Sequence, residues 1–284
     1  MARCQWGLSR LQMSRREEAS SGRSDTSYEE PDLYEVLGKY YDVWYEDQVE
    51  DTQFYLRLAE QVGGPVLECM CGTGRTLVPF AEKGYEIWGF DRSHSMLDRL
   101  TAKMELYDEE VQARVSVHHA DMRTFRCPRR FKLIVVPFNA FLHLLEREGQ
   151  EAALRNVAEH LEEGGRFVMS VFNPRLDRPE ELVRHRGTRT MLNGEIISKF
   201  EAQTFDRERR RTTVHYFLDI SRQDREMRRV TACFTIRYLA HQEVLGLMAA
   251  SGLEVEATYG DWHGGPFTEE SDIMVFVAKR AHAP

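Results

Sequence analysis

The sequence contains no apolar run approaching the ~18 residues that a membrane span needs. Its first stretch, Met1 to Arg23, lacks the continuous apolar core of a secretory signal. A membrane is therefore not an expected partner, and the chain is read as cytoplasmic. Positive charge is short as well. There are 38 Lys and Arg against 46 Asp and Glu, a formal charge of −8. A nucleic-acid binder presents a broad basic footprint, so nucleic acid is not expected either. Cysteine is sparse and odd in number: Cys4, Cys69, Cys71, Cys127 and Cys233 do not form the even framework of a secreted disulfide scaffold. Cys69-Met70-Cys71 has no second Cys or His pair at ligand spacing, so no metal site is expected. What remains is an ordinary globular mix, 42% hydrophobic and 30% charged over 284 residues. That is enough chain for one large domain with a substantial core.

Residues 1–30 are polar, rich in Ser, Arg and Glu, and without clear periodicity, which predicts a disordered tail. Helices are predicted from Asp32 to about Tyr45 and over 49–62, the second stopped by Gly63-Gly64-Pro65. Short apolar strands then alternate with helices from Val66 to Phe172. Such alternation predicts a parallel sheet covered on both faces. The pattern changes near 181. Residues 188–204, 211–221 and 229–239 alternate and are rich in Thr, Phe, Tyr and Val. They predict an antiparallel insertion over 181–240, with solvated Arg-rich turns near 207–211 and 222–229. A helix over 241–251 and strands near 253–259 and 272–279 return to the main domain, which thus comprises 31–180 and 241–284. The loop Asp261 to Gly265 is a candidate pocket lining.

The informative segment is Val66-Leu67-Glu68-Cys69-Met70-Cys71-Gly72-Thr73-Gly74-Arg75, between the first strand and the next helix. Ligands of open α/β sheets bind beyond the carboxyl ends of the strands. Gly72 and Gly74 allow a tight turn and a close backbone approach. Asp91 ends the next strand and can accept from both hydroxyls of a ribose. Asp121 ends the strand after that. Acids at three strand tips suit an adenosine group. A nicotinamide fingerprint would have a third glycine three positions after Gly74, where Leu77 stands. S-adenosylmethionine fits better: it has no pyrophosphate, and acids suit its positive sulfonium.

In these residues the chain resembles the class I S-adenosylmethionine-dependent methyltransferases, with Glu68 to Gly74 as their motif I and Gly-Phe-Asp-Arg-Ser followed by Met96-Leu97 further on. The resemblance runs from about Tyr41 to Phe172 and resumes over the C-terminal helix and strands. It implies a Rossmann-like α/β domain, with helices on both faces and the antiparallel insertion forming a wall of the substrate pocket. It implies that Gly72 and Gly74 border the methionine part, that Asp91 holds the ribose, that Asp121 takes the adenine amino group, and that Met122 packs on the ring. Glu68 would act near the cofactor's amino group. Tyr41, Met70, Arg92 and Met96 complete the expected cofactor set. Met70 departs from the family pattern, which has Gly or Ala there. The stretch Tyr41-Asp42-Val43-Trp44-Tyr45 is similar to one in amino-sugar and glycine or sarcosine N-methyltransferases, whose N-terminal segment folds over the cofactor.

The expected activity is methyl transfer to a small-molecule acceptor, most simply an amine nitrogen. An O- or C-methyltransferase of a natural product is the rival reading, and a cofactor-binding protein without turnover a second one. A homodimer is left open. His143, beyond the fourth strand, is the candidate base, with no acid evident in the local sequence to orient it. Of His118 and His119, alternation places one in solvent and one near the site.

Overall fold

The computed structural model describes residues 33–45, 47–174, 181–191, 193–222 and 227–281. The tail expected over 1–30 lies outside the described residues. Two helices, α1 (Leu33–Tyr45) and α2 (Glu50–Val62), precede the first strand, β1 (Val66–Cys69). Then come α3 (Leu77–Glu82), β2 (Ile87–Asp91), α4 (His94–Met104), a single helical turn α5 (Glu109–Gln112), β3 (Val115–His119) and β4 (Phe131–Val136). A 3₁₀ turn (Ala140–His143) leads to α6 (Arg147–His160) and β5 (Leu161–Phe172). Ser93 caps α4 as its position predicts, its hydroxyl accepting from the Met96 N–H at 3.3 Å.

After β5 the chain forms β6 (Glu181–Thr190), β7 (Ile196–Asp206), β8 (Arg211–Ser221) and β9 (Arg228–Arg237). It closes with α7 (His241–Ala250), β10 (Leu253–Tyr259) and β11 (Ile273–Arg280). The main sheet has the order β3-β2-β1-β4-β5-β11-β10. Strands β1 to β5 pair in parallel and β11 runs antiparallel to both its neighbours. The sheet is thus Rossmann-like, but mixed rather than all parallel. Chain order reverses between β1 and β4, and ligands of such sheets bind at that crevice.

Strands buried on both faces read as continuous apolar runs, and all four residues of β1 are buried. One apolar layer gathers Phe131, Phe141, Phe167 and Phe276 under α6 and α7. The other gathers Tyr55, Phe80, Leu100 and Val275 under α2, α3 and α4.

Strands β6 to β9 form a separate antiparallel sheet in simple up-and-down order. The predicted strand over 188–204 is in fact two strands. Asn193-Gly194 turns the chain between them, with Gly194 at φ 79° and the Asn193 side chain accepting from the Glu195 N–H at 3.0 Å. An Asn-Gly pair between alternating runs is a strong hairpin signal, and it lies in the sequence. A third apolar cluster, Tyr40 of α1 with Ile197, Leu218, Ile220 and Ala232, binds this sheet to the first helix. The turn at 207–211 is solvated as expected, with 207–210 exposed, and is also tied to the main domain: Arg210 pairs with Glu243 at 2.6 Å and Arg211 with Glu146 at 2.5 Å. Exposed pairs of this kind contribute about 0–1 kcal/mol each, whereas each buried Ile or Leu contributes about 1.5–3 kcal/mol. The apolar cluster therefore dominates the attachment, and the ion pairs fix its register.

Candidate active site

Beyond β1 the backbone turns sharply. Met70, Gly72 and Gly74 have φ of 59°, 55° and 78°. Such angles are costly for a residue with a Cβ, so Met70 carries strain at the tip of β1, where its half-buried side chain packs on the apolar layer beneath. Asp91, at the tip of β2, holds the loop. One carboxylate oxygen accepts from the Gly72 N–H and the other from the Ser93 N–H, each at 2.9 Å. The two glycines differ. A Cβ on Gly72 would meet nothing within 4 Å, whereas one on Gly74 would lie 2.3 Å from Leu100 of α4. Gly72 therefore faces open space, and Gly74 is required by packing against α4.

Glu68 is 2% exposed, and its Oε2 has no hydrogen-bond partner among the described residues. Burial pushes its carboxyl well above the ordinary range; the Arg75 charge opposes this, and Asp51 and Asp91 add to it. Arg75 is itself locked to Asp51 of α2 by two bonds, at 2.8 and 2.5 Å, and donates to the Gln48 carbonyl. Burial alone would lower the Arg75 pKa, but this pair outweighs it and the group stays charged.

Asp121, after β3, accepts from the Arg123 guanidinium at 2.9 and 2.6 Å and from the Arg123 N–H at 2.8 Å. These bonds lower its pKa. The carboxylate is thus engaged within its own turn, as a cap would be. Met96 and Met122 are fully buried. Arg92 is exposed, and its carbonyl accepts from His119 Nε2 at 2.7 Å. His118 and His119 are both exposed on the edge strand β3 and have different partners, as alternation requires: His118 stacks on Trp88 and His119 on His94. The loop from Asp261 to Gly265 lies on α2, where the Trp262 ring packs on Phe54 and Tyr55 and its carbonyl accepts from Arg57.

Helix α1 lies over the β1 loop. Asp42 accepts from the Thr73 hydroxyl at 2.6 Å and pairs with Lys103 at 3.0 Å. This places Tyr41 beside the loop. Burial raises its hydroxyl pKa, with Tyr45, Asp42 and Asp91 adding and Arg75 opposing.

The tip of β4 is strained too. Phe138 and Asn139 have φ of 54° and 64°. Ser170 of β5 clamps them, its hydroxyl accepting from the Phe138 N–H at 3.0 Å and its carbonyl from the Asn139 N–H at 3.1 Å. From Phe138 a belt of rings runs through four further elements. Its ring lies 5.0 Å from Tyr45 of α1. The Tyr45 hydroxyl is 3.5 Å from that of Tyr216 on β8, and the Tyr216 ring is 5.3 Å from Phe234 on β9. Phe234 lies 5.4 Å from His143, and His143 5.7 Å from Tyr34, back on α1. His143 is not alone: its Nε2 is 2.9 Å from the Tyr34 hydroxyl.

A family model described as a methyltransferase domain matches residues 66–165. A dTDP-3-amino-3,4,6-trideoxy-α-D-glucopyranose N,N-dimethyltransferase of Streptomyces venezuelae is 31% identical over 49% of this chain and 55% of its own length, so the chain spans about half of that relative. A dTDP-3-amino-3,6-dideoxy-α-D-glucopyranose N,N-dimethyltransferase of Streptomyces fradiae is 26% identical over 87% of this chain and 92% of its own. Residues 66–165 thus resemble a methyltransferase domain, and over most of its length the chain is similar to an amino-sugar N,N-dimethyltransferase. The fold of the CcbJ methyltransferase from Streptomyces caelestis matches with a TM-score of 0.75 at 23% identity, over 88% of this chain and 98% of that one.

The residues of this chain fit S-adenosylmethionine. Glu68 offers a buried oxygen that still lacks a donor, Gly72 opens onto space that a side chain would fill, and Asp91 stands beside both. The structure brings Tyr41, Glu68, Met70, Gly72 and Asp91 around one edge; Asp121 and Arg92 stand further along it. Tyr34, Asp42, Phe138, Tyr216 and Phe234 were not singled out as site residues from the sequence. Asp42 lies inside the Tyr41–Tyr45 stretch; the others carry no local signal.

Proposed function

We propose that the methyltransferase alkylates an amine nitrogen of a small molecule bound within the aromatic belt, with the β6–β9 sheet as one wall. The observation that carries this reading is the belt itself. Six rings from α1, the β4 tip, the 3₁₀ turn, β8 and β9 meet beside the cofactor edge, and His143, with its Tyr34 partner, is the imidazole among them. The relatives agree in acceptor type: two are amino-sugar N,N-dimethyltransferases, and a third, from a Streptomyces species and 28% identical, is a cypemycin N-terminal methyltransferase.

Gly72, Glu68 and Asp91 would hold S-adenosylmethionine, and Tyr41 would cover it. When bound, that cofactor supplies an electrophilic methyl group. The chain's own task is then largely positioning, which can contribute about 7–11 kcal/mol in the best cases. The rings exclude water and hold a neutral amine in line. Tyr34 and His143 can hold the proton that the amine sheds. A second reading, methylation at oxygen or carbon, is favoured by that same Tyr34–His143 bond, because it orients the imidazole as a general base requires.

Single-turnover methyl transfer against pH for wild type and His143→Ala separates the two. With an amine acceptor the rate levels off near the bound amine's pKa and His143→Ala costs less than about tenfold. A loss of about 10²–10⁴, the range for removal of a general base, or product methylated at oxygen or carbon, establishes the second reading.

A further inference from the structure

At the Tyr45–Tyr216 corner of the belt sits a buried ammonium. Lys199 of β7 is 4% exposed. Its Nζ donates to the Tyr45 hydroxyl at 2.8 Å and lies 3.9 Å from the centre of the Tyr216 ring, 4.7 Å from that of Tyr45 and 5.6 Å from that of Trp44. An ammonium has three donors, and only one is engaged here. No carboxylate among the described residues lies within ion-pair distance. The acid on the same face of β7, Glu201, is taken by Arg186 at 3.3 Å and by Gln203. Trp44 adds a second unused donor: its indole Nε1 is buried and has no partner among the described residues. The corner therefore holds spare donors, and its spare acceptors are the two neutral tyrosine oxygens.

Buried charge is costly unless it is paired, and buried donors are normally satisfied. The rings partly offset the charge of Lys199, but they cannot accept a hydrogen bond from Trp44 and from Lys199 as an oxygen does. Both residues belong to the acceptor side, since Tyr45 touches Phe138 at the β4 tip and Tyr216 touches Phe234. We infer that Lys199 and the Trp44 indole N–H receive an anionic oxygen of the acceptor, so that this methyltransferase selects amines that also carry an acidic group, a carboxylate or a phosphoryl. A fixed cation at this corner also disfavours acceptors with a second positive charge. The inference rests on the belt being the acceptor site.

The test uses two matched pairs of probe amines with S-adenosylmethionine: Ala-Ala against its C-terminal amide for a carboxylate, and dTDP-3-amino-3,6-dideoxyglucose against the free 3-amino sugar for a phosphoryl. Wild type is expected to prefer the acidic member of at least one pair by tenfold or more in kcat/KM, and the pair that responds identifies the source. Lys199→Met is expected to lower that preference ratio at least tenfold, mainly through KM. Trp44→Phe, which keeps the ring and removes the donor, is expected to lower it about threefold. Lys199→Arg is expected to keep it. Unchanged affinity of each variant for S-adenosylhomocysteine excludes a general loss of fold. Failure of both acidic probes to bind or turn over better than their neutral partners, or a preference that survives in Lys199→Met, overturns the inference. If Phe234→Ala abolishes turnover of all four probes while Lys199→Met leaves the ratio intact, the belt stands and the assignment of Lys199 falls.

Discussion

The cofactor edge and the aromatic belt are adjacent and built on opposite principles. The edge is made by the backbone. Gly72 N–H meets Asp91, β1 and β2 pair in register, and the parts lie within 24 residues, Glu68 to Asp91. The belt is made by side chains alone. Its rings come from residues 34, 45, 138, 143, 216 and 234 and meet only because α1 and the second sheet close on the β4 tip. A backbone edge tolerates change in its neighbours but not in its glycines and acids. A side-chain belt can be reshaped one ring at a time without loss of the cofactor. That is how one scaffold can hold one cofactor and serve varied acceptors.

The largest effect is expected where the two regions share a residue. Arg75 is paired with Asp51 beneath the edge and stacks 5.0 Å above Phe138 of the belt. Arg75→Met leaves a buried carboxylate unpaired, which costs about 3–5 kcal/mol. Denaturant unfolding should register that loss, and both cofactor and acceptor binding should weaken together.

Next, Asp91→Ala strips two N–H groups of their acceptor and removes the expected ribose contact. Affinity for S-adenosylhomocysteine, measured by calorimetry, should fall by about 2–3 kcal/mol, given about 1.5–3 kcal/mol per bond to a charged group. Phe234→Ala is its counterpart. It should leave that affinity within about twofold, well under 1 kcal/mol by the tenfold-per-1.4 kcal/mol relation, while lowering methyl transfer. Equal loss of cofactor binding in both variants would erase the distinction between edge and belt.

The glycines divide the edge itself. Gly74→Ala forces a methyl group against Leu100 at positive φ and should destabilise the fold by about 1–3 kcal/mol. Gly72→Ala adds only the backbone strain, about 1–2 kcal/mol, and should lower cofactor affinity more than stability.

Glu68 gives a pH signature. Its folded-state pKa is raised, so the folded protein holds the proton more tightly than the unfolded chain does. The stability this confers is full below the carboxylate's unfolded pKa of about 4.3 and is lost as pH climbs toward the folded value. Without cofactor, stability should therefore fall as pH rises from about 4, and Glu68→Gln should flatten that slope. The smallest change is Asp121→Asn. Its partly exposed bond to Arg123 contributes less than about 1 kcal/mol. A larger fall in S-adenosylhomocysteine affinity than in stability would identify Asp121 as a contact to the adenine.

The edge was legible because its physics is local. A strand, two glycines and acids at successive strand ends state their geometry in their spacing, and the strand–helix alternation stated the sheet. The hairpin at Asn193-Gly194 was equally local, though a run of alternating residues on both sides hid it. Asp121 is local too, its partner Arg123 lying in the same turn, but spacing does not choose between that guanidinium and an adenine. Other features were not local. His143 has no neighbour in sequence to orient it, because its partner Tyr34 stands 109 positions away.

The sequence by itself determined the sheet, the turn after β1 and the kind of cofactor, since each follows from backbone conformation and from charge at strand ends. Only the tertiary structure decided that Gly74 packs on Leu100 while Gly72 faces open space, that α1 is fastened by Asp42 to Thr73, and that Lys199 lies buried against Tyr216. Those are contacts between residues distant in the chain. Their energies come from burial and from hydrogen bonds that exist only once separate elements have packed, and alternation in one strand carries no information about which rings will face it from another.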